Sequence, residues 1–134
     1  MNLSQSSRNL DPLADVLFVL GARPIRTTRF EAAGEWALTF PALERLKFVA
    51  QLRGAGWLLL PDRLPLRIVA GDCCLIGRSA YTIASDPAAT PIEGSSLYAD
   101  GNDRVHLGGD EMVALGGGIA FAPDAGGFLL DLLP

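Results

Sequence analysis

Glycine and proline punctuate this sequence at short intervals from Ile25 onward, and this feature constrains the fold most. Between these breakers lie short runs in which hydrophobic and polar residues tend to alternate, a period typical of half-buried β-strands. The spacing predicts an all-β fold. The residues that separate the runs are Gly34, Pro41, Gly54, Pro61, Gly71, Gly77, Pro87, Gly94, Gly101 and Gly108.

Strand-like segments follow one another along this region. They are RTTRFEA, EWALTFP, LKFVAQLRG, GWLLLP, LRIVAGD, CCLIGR, AYTIA, RVHLGG and MVALGGGIAFA. Because these segments are numerous and short, they predict a β-sandwich or a small barrel rather than an open sheet.

The N-terminal residues predict two different local structures. Residues 1–10 are polar and rich in Ser and Asn, so they bury too little apolar surface to offset the entropy of ordering, and we expect a flexible tail. A short α-helix is predicted after this tail. It would begin with Asp11 as N-cap and Pro12 as the first helical residue, and end at Gly21 in a left-handed conformation. We expect its apolar stripe to cover one side of the sheet; the stripe is Leu13, Val16, Leu17 and Leu20.

Length and charge limit the function. A chain of 134 residues holds one domain with a core and leaves little room for a second. It has 11 Lys and Arg against 15 Asp and Glu, a net charge of −4, which disfavours direct binding to DNA phosphates. It opens with no signal-peptide pattern, and no apolar run reaches the roughly 20 residues of a membrane helix. We therefore expect a soluble cytoplasmic protein that does not bind membranes.

Cys73 and Cys74 lie side by side in an apolar run, where a metal site, a redox switch or a plain buried strand would each use them differently. Adjacent Cα atoms are about 3.8 Å apart, below the roughly 4.4 to 6.8 Å span of ordinary disulfides. An unstrained bridge between the two is therefore disfavoured. Free cysteine packs as a small hydrophobe, so a buried structural role is favoured.

The segment LKFVAQLRG presents two chemically different faces. One carries Leu46, Phe48, Ala50 and Leu52; the other carries Lys47, Val49, Gln51 and Arg53. Sequence favours a solvated face for the polar residues, and the alternative places some of them in a polar-lined cavity.

Other features point to structure rather than catalysis. His106, the single histidine of the chain, lies near Asp103, Asp110 and Glu111 and could act as a general base, but a lone histidine near a turn is more often structural. The glycines of GGGIAF predict bulges and tight turns, since no Lys-Ser/Thr and no helix follow them. A solvated strand edge is expected for Arg23, Arg26 and Arg29. Core packing is expected for Trp36, Phe48, Trp57, Tyr81 and Phe121.

The order of several segments resembles a known family. LPLRIVAGDCCLIGRSAYTI, with a turn at Gly71 and Asp72 and a polar turn at Gly77–Ser79, is similar to the second signature motif of the cupin barrel. From Asp11 to Pro134 the chain resembles the cupin-like effector domain at the N-terminus of AraC-type transcription regulators. The other segments that carry this resemblance are DPLADVL, GEWALTFP, FVAQLRGAGWLLLP, VHLGGDEMVALGGGIAF and LLDLLP.

The resemblance implies a double-stranded β-helix over residues 11–134 without a metal. Metal-dependent cupins use a His-x-His and a Glu in the first motif and a His in the second. Here spacing puts Lys47 at the Glu position and Thr82 at the second His position, and neither suits a metal ligand. The chain also lacks the pair of imidazole donors that such a site needs, so we expect no metal and no cofactor.

The resemblance further implies a sensor that binds a small-molecule effector without chemistry, so no catalytic residue is expected. The candidate ligand-binding residues are Lys47, Val49, Gln51, Tyr81 and Thr82. Lys47 would pair with an anionic or hydroxylated effector, and Gln51 would orient it by hydrogen bonds. DNA would be contacted indirectly, through a C-terminal helix-turn-helix module outside this chain. The apolar ending Phe128–Leu133 favours a chain that continues beyond Pro134.

Two alternatives stay open. The first is a metal-free cupin enzyme of the sugar epimerase or isomerase type, which requires His106 or a carboxylate inside the barrel. The second is a structural dimerisation module with a filled interior. Self-association as a homodimer is also compatible with the sensor.

Overall fold

Eleven strands and one short helical segment make up the part of the chain that the structure, a computed structural model, describes: residues 2–4 and 23–120. The strands are β1 (Asn2–Ser4), β2 (Arg23–Ala32), β3 (Ala37–Phe40), β4 (Leu46–Arg53), β5 (Ala55–Leu59), β6 (Leu66–Val69), β7 (Asp72–Ile76), β8 (Tyr81–Ala84), β9 (Ile92–Glu93), β10 (Arg104–Leu107) and β11 (Met112–Ala120). A kinked 3₁₀ segment covers Ser95–Gly101. None of the described helical residues forms a span long and apolar enough to cross a membrane.

The strands form two sheets. The six-stranded sheet has the order β1-β7-β4-β11-β2-β10, and the five-stranded sheet has the order β6-β5-β8-β3-β9. The chain crosses between the sheets repeatedly, since β4 and β7 lie in one sheet while β5, β6 and β8 lie in the other. The prediction of an all-β, two-sheet cupin-like fold is confirmed.

The core lies between the two sheets, where alternate residues of each strand meet. Phe30 and Trp36 pack edge to face, with ring centroids 5.0 Å apart. The buried cluster around them consists of Ala32, Leu38, Val49, Leu58, Ile68, Cys74, Ile76, Tyr81, Ile83, Tyr98, Val105, Met112 and Ala114.

The Gly-Asp turn predicted between two strands joins β6 to β7. Gly71 has a φ of 98°, a conformation that disfavours residues with a Cβ, and its N–H donates to the carbonyl of Gln51 at 2.9 Å. The buried carboxylate of Asp72 accepts a hydrogen bond from the N–H of Val69 at 2.9 Å. The turn thus fixes the chain as it passes from one sheet to the other.

The predicted strand segments all coincide with observed strands, while two strands were not predicted. Asn2–Ser4, within the expected flexible tail, forms β1 and pairs antiparallel with β7. Ile92 and Glu93 form β9, a two-residue strand too short to give a periodic signal. The rest of the tail, the predicted helix at residues 11–20, Phe121 and Phe128–Leu133 lie outside the described residues.

The expectation of a solvated polar face on β4 is wrong for two of its three polar residues. Lys47 and Gln51 are buried, and only Arg53 is exposed. The reason is the position of β4 inside the six-stranded sheet, between β7 and β11, where the face carrying Lys47 and Gln51 turns toward the other sheet. Leu46 is buried as well, so the strand begins with both faces covered.

The cysteines of β7 are free thiols. Cys74 is buried in the core and Cys73 is half-buried. Burial raises the pKa of both thiols, that of Cys74 to about 11, so they stay protonated at neutral pH. The predicted burial is therefore confirmed for Cys74, and the protonated state disfavours thiolate chemistry at either residue.

Candidate functional site

A cavity of about 210 Å³ lies between the two sheets. The β3–β4 loop and the 3₁₀ segment contribute to its wall. The lining residues are Arg26, Thr28, Phe30, Phe40, Pro41, Leu43, Arg45, Lys47, Val49, Tyr81, Ile83, Ser95, Tyr98 and the stretch 114–118 of β11.

The pairing of β2, β11 and β4 arranges the residues of this wall in rows. Along β11 the rows change from basic to apolar. Gly118 of β11 pairs with Arg26 on one side and Lys47 on the other, which forms a basic row. Two residues along β11, Gly116 pairs with Thr28 and Val49. The next inward-facing row joins Ala114 to Phe30 and to Gln51. Because residues two apart on a strand share a face, these rows follow one another along the same side of the sheet.

Lys47 brings a buried cation to the basic row. The residue is 4% exposed, its Nζ donates to the carbonyl of Ser79 at 2.9 Å, and it lies 5.9 Å from the centroid of the Tyr81 ring. Desolvation by burial lowers the pKa of Lys47, and the positive charge of Arg45 lowers it further. An ammonium has three N–H donors, so this group keeps hydrogen-bonding capacity for a further acceptor.

Two arginines lie beside Lys47, and they differ in their hydrogen bonding within the described part of the chain. Arg26 donates from Nε to Asp103 at 2.7 Å and from Nη2 to the carbonyls of Tyr98 and Asn102 at 2.9 and 2.8 Å. Arg45 makes no hydrogen bond or ion pair within the described part of the chain. Its side chain covers Gly118, where its Cδ lies 3.1 Å from the position that a Cβ would take. Gly118 thus leaves room for Arg45 over the strand.

Aromatic residues form the facing wall. Phe40 and Tyr81 stack with ring centroids 5.0 Å apart and an interplanar angle of 21°. Burial raises the pKa of Tyr81 and raises that of Tyr98 to about 12, so both hydroxyls are protonated at physiological pH. The Tyr98 hydroxyl donates to the carbonyl of Arg29. Tyr81 is 8% exposed, and its hydroxyl has no hydrogen-bond partner among residues 23–120.

Three of the five residues predicted to bind a ligand line this cavity: Lys47, Val49 and Tyr81. Gln51 faces the same side of β4, but it lies at the far end beyond Val49, where its Nε2 donates to the carbonyl of Arg53. Thr82 points to the opposite face of β8 from Tyr81 and hydrogen-bonds Thr39 at 3.2 Å. Neighbouring residues on a strand point in opposite directions, so Tyr81 and Thr82 cannot both face the cavity.

Sequence reasoning missed most of the remaining wall. The glycines of GGGIAF lie inside β11 rather than in a turn, although the register does shift at Gly118 and Ile119 as the predicted bulge requires. Glycine within a strand signals close approach or free space, and this signal was present in the sequence. Arg26 and Arg45 carried no comparable signal. Arg26 and Arg29 point to opposite faces because they are three residues apart on a strand, and Arg26 lies in the part of β2 that β10 does not pair with.

Comparison with known proteins adds family membership to this geometry. Residues 11–134 match the protein family described as Cupin. The chain belongs to the cupin family. Two curated relatives of this cupin carry the name "Putative AraC-like transcription regulator". The one from Streptomyces antibioticus is 39% identical over 129 residues, and the one from Streptomyces lividans is 36% identical over 130.

The resemblance to the cupin domain associated with AraC-type regulators is therefore confirmed. Each alignment covers 93% of this chain but only 43% and 42% of the two relatives. The chain thus spans less than half the length of the curated relatives it matches.

His106 lies away from the cavity of this cupin barrel. It is exposed on β10, where it pairs with Glu31 of β2 and lines a shallow depression together with Arg104, Gly109 and Asp110. Glu31 is held there by Arg104 and by Arg29, with N–O distances of 2.9 to 3.1 Å. Residues 2–4 and 23–120 contain no group of three His, Cys, Asp or Glu side chains that could hold a metal ion.

Proposed function

We propose that this cupin domain is the ligand-sensing part of an AraC-type regulator and that its effector binds in the cavity between the sheets. The observation that carries this proposal is hydrogen-bonding capacity inside the cavity that residues 23–120 leave unused, at the Tyr81 hydroxyl and the Lys47 ammonium. Buried polar groups are almost always hydrogen-bonded, so unsatisfied ones that face an open space indicate a ligand or ordered water.

The proposed mechanism is binding without chemistry. The cavity wall within residues 23–120 contains neither a histidine nor a carboxylate, and His106 points away from it. A ligand that binds one conformation of the domain more tightly shifts the population toward that conformation. In a regulator, this shift in population would be passed on to a DNA-binding portion outside the present chain. We propose that such a regulator acts in the cytoplasm. The names of the two relatives support this assignment.

A purely structural module with a filled barrel fits the cavity less well. The 210 Å³ space exceeds the roughly 150 Å³ of an engineered protein cavity that binds benzene. Its polar groups also distinguish it from a packing defect, which would be apolar.

Homodimer formation remains a separate proposal, and sedimentation of the isolated domain would test it.

Gly116→Val should abolish effector binding by filling the cavity. A Cβ at Gly116 would meet no atom closer than 3.5 Å, and Val is well suited to a strand, so the variant should fold while its methyl groups occupy the ligand space. Thermal-shift screening of organic acids, sugars and aromatic compounds measures the effect, because a ligand at about 100 times its Kd adds about 2.7 kcal/mol of stability.

Ala50→Val is the matched control. Ala50 lies on β4 beside Leu115, on the face of the sheet that points away from the cavity, where the change to valine adds two carbon atoms against three at Gly116. Its ligand-induced shift should equal that of the wild type. A hit that stabilises Gly116→Val as much as the wild type would place the binding site elsewhere and contradict the proposal.

A further inference from the structure

We propose that the ligand of this cavity is a small organic monocarboxylate with an apolar body and roughly six to eight carbon atoms in all, an inference that rests on the proposed function. Three features of the cavity support it: an excess of positive charge, an amphipathic wall and a limited volume.

The charge excess is concentrated at one end of the cavity. Arg26, Arg45 and Lys47 all adjoin Gly118, and no Asp or Glu side chain lines the wall within residues 23–120. Like charges confined in a partly desolvated site repel one another. An anion bound among them would relieve this repulsion and form charge-assisted hydrogen bonds.

Two of the three cations are available to that anion. Arg26 already holds Asp103, so its charge is neutralised locally. Within the described part of the chain, Lys47 donates to a neutral carbonyl and lies over a ring face, and Arg45 has no hydrogen-bond or ion-pair partner. Arg45 is exposed and Lys47 is buried, so a carboxylate entering past Arg45 could reach Lys47.

The opposite end of the cavity is apolar. Phe30, Val49, Ile83 and Ala114 line it and belong to the buried core cluster. A second charged group or a ring of hydroxyls would lose its hydration there without gaining partners. This disfavours dicarboxylates and sugars and favours a hydrocarbon or aromatic body.

The volume limits the size of that body. A cavity of roughly 150 Å³ accommodates a benzene ring, and this one measures about 210 Å³. An aromatic ring or a short alkyl chain with one carboxylate fits such a space. Benzoate and hexanoate are therefore suitable probes.

Calorimetric titration of the 134-residue chain with pairs of ligands that match in shape but differ in charge tests the inference. The pairs are benzoate against benzamide and hexanoate against hexanamide. At low ionic strength each carboxylate should bind at least about tenfold more tightly than its amide, and added salt should reduce this preference. Benzylamine, which carries the opposite charge, should not bind.

Two variants locate the charges responsible. Arg45→Gln changes an exposed side chain and should keep the fold, and Lys47→Met keeps the length of a buried side chain without its charge. Each should remove most of the preference for the carboxylate. Arg63→Gln, an exposed arginine of the β5–β6 turn, is the control and should leave the preference unchanged.

The outcomes separate the two proposals. If the amides bind as tightly as the carboxylates, or if Arg45→Gln leaves the preference intact, the inference is wrong, while binding that Gly116→Val abolishes would still support the proposed function. If compounds of every charge class, sugars included, fail to bind the wild type, both proposals fail.

Discussion

Glu31 and Lys47 are both ionisable and largely buried, yet their surroundings differ. The neighbours of Glu31 favour its charged form, whereas the burial of Lys47 disfavours its charged form. Glu31 lies under two arginines and has a side chain only 6% exposed, because Arg104 and Arg29 cover it. The hydrogen bond from Arg104 is the main cause that lowers the pKa of Glu31. Lys47 meets a carbonyl and an aromatic ring, and burial lowers its pKa, which disfavours its charged form. Glu31 is satisfied within the protein, whereas Lys47 gains from an anionic partner.

Glu31→Gln should reduce stability at neutral pH and matter less in acid. The folded-state pKa of Glu31 lies below its ordinary value of 4.5, so its stabilising contribution is present above pH 4.5 and is lost as the pH falls through the folded-state value. Urea unfolding at pH 7 and near pH 3.5 measures the difference between the wild type and the variant. Glu35→Gln, at an exposed position, is the control. An equal difference at both pH values would contradict the assigned role.

Strands that are bounded by glycine or proline could be predicted from the sequence. The turns between them determine how each strand is placed in the fold. The β6–β7 turn is the clearest case, because Gly71 supplies the positive φ and Asp72 binds the N–H of Val69. The parity of β8 was not evident from the sequence, since an alternating strand does not reveal which of its two faces turns inward. Tyr81 and Ile83 line the cavity, and Thr82 faces the other way.

Asp72→Ala should destabilise the domain by about 1 to 3 kcal/mol, because it leaves the N–H of Val69 without its acceptor at a partly buried turn. Asp72→Asn keeps a side-chain carbonyl oxygen at the same position and should retain most of the stability. Chemical denaturation of the two variants and the wild type gives both values. Equal losses in the two variants would show that the hydrogen bond to Val69 is not what stabilises the turn.

At the scale of the whole molecule, the two sheets enclose a space that neither forms alone. β2, β4 and β11 supply one wall, β3 and β8 the other, and the 3₁₀ segment contributes Ser95 and Tyr98. A ligand held between two sheets contacts both, so it can favour one relative arrangement of them over another. This is the physical route by which a binding domain would influence a DNA-binding portion joined to it.

The coupling in such a regulator must be reciprocal. Suppose that this domain belongs to a longer regulator, as we propose, and that a cavity ligand changes the affinity of that regulator for its DNA site by a given factor, typically about 5- to 150-fold. The DNA site must then change the ligand affinity by the same factor. Fluorescence anisotropy with labelled DNA and calorimetry with the ligand measure the two sides. The response to ligand should be lost in Gly116→Val and kept in Ala50→Val. A ligand that binds the cavity without any change in DNA affinity would contradict the sensor mechanism.

The sequence alone located nine of the eleven described strands, because glycine, proline and alternation act through local backbone geometry. It also indicated the family and the buried position of Cys74. Only the tertiary structure decided that Lys47 faces inward, since burial of a strand face depends on which strands lie beside it and what covers them. The tertiary structure likewise brought Arg26 of β2 to the neighbouring pair Arg45 and Lys47, across Gly118. That proximity depends on strand register, which is set by long-range pairing rather than by any local pattern.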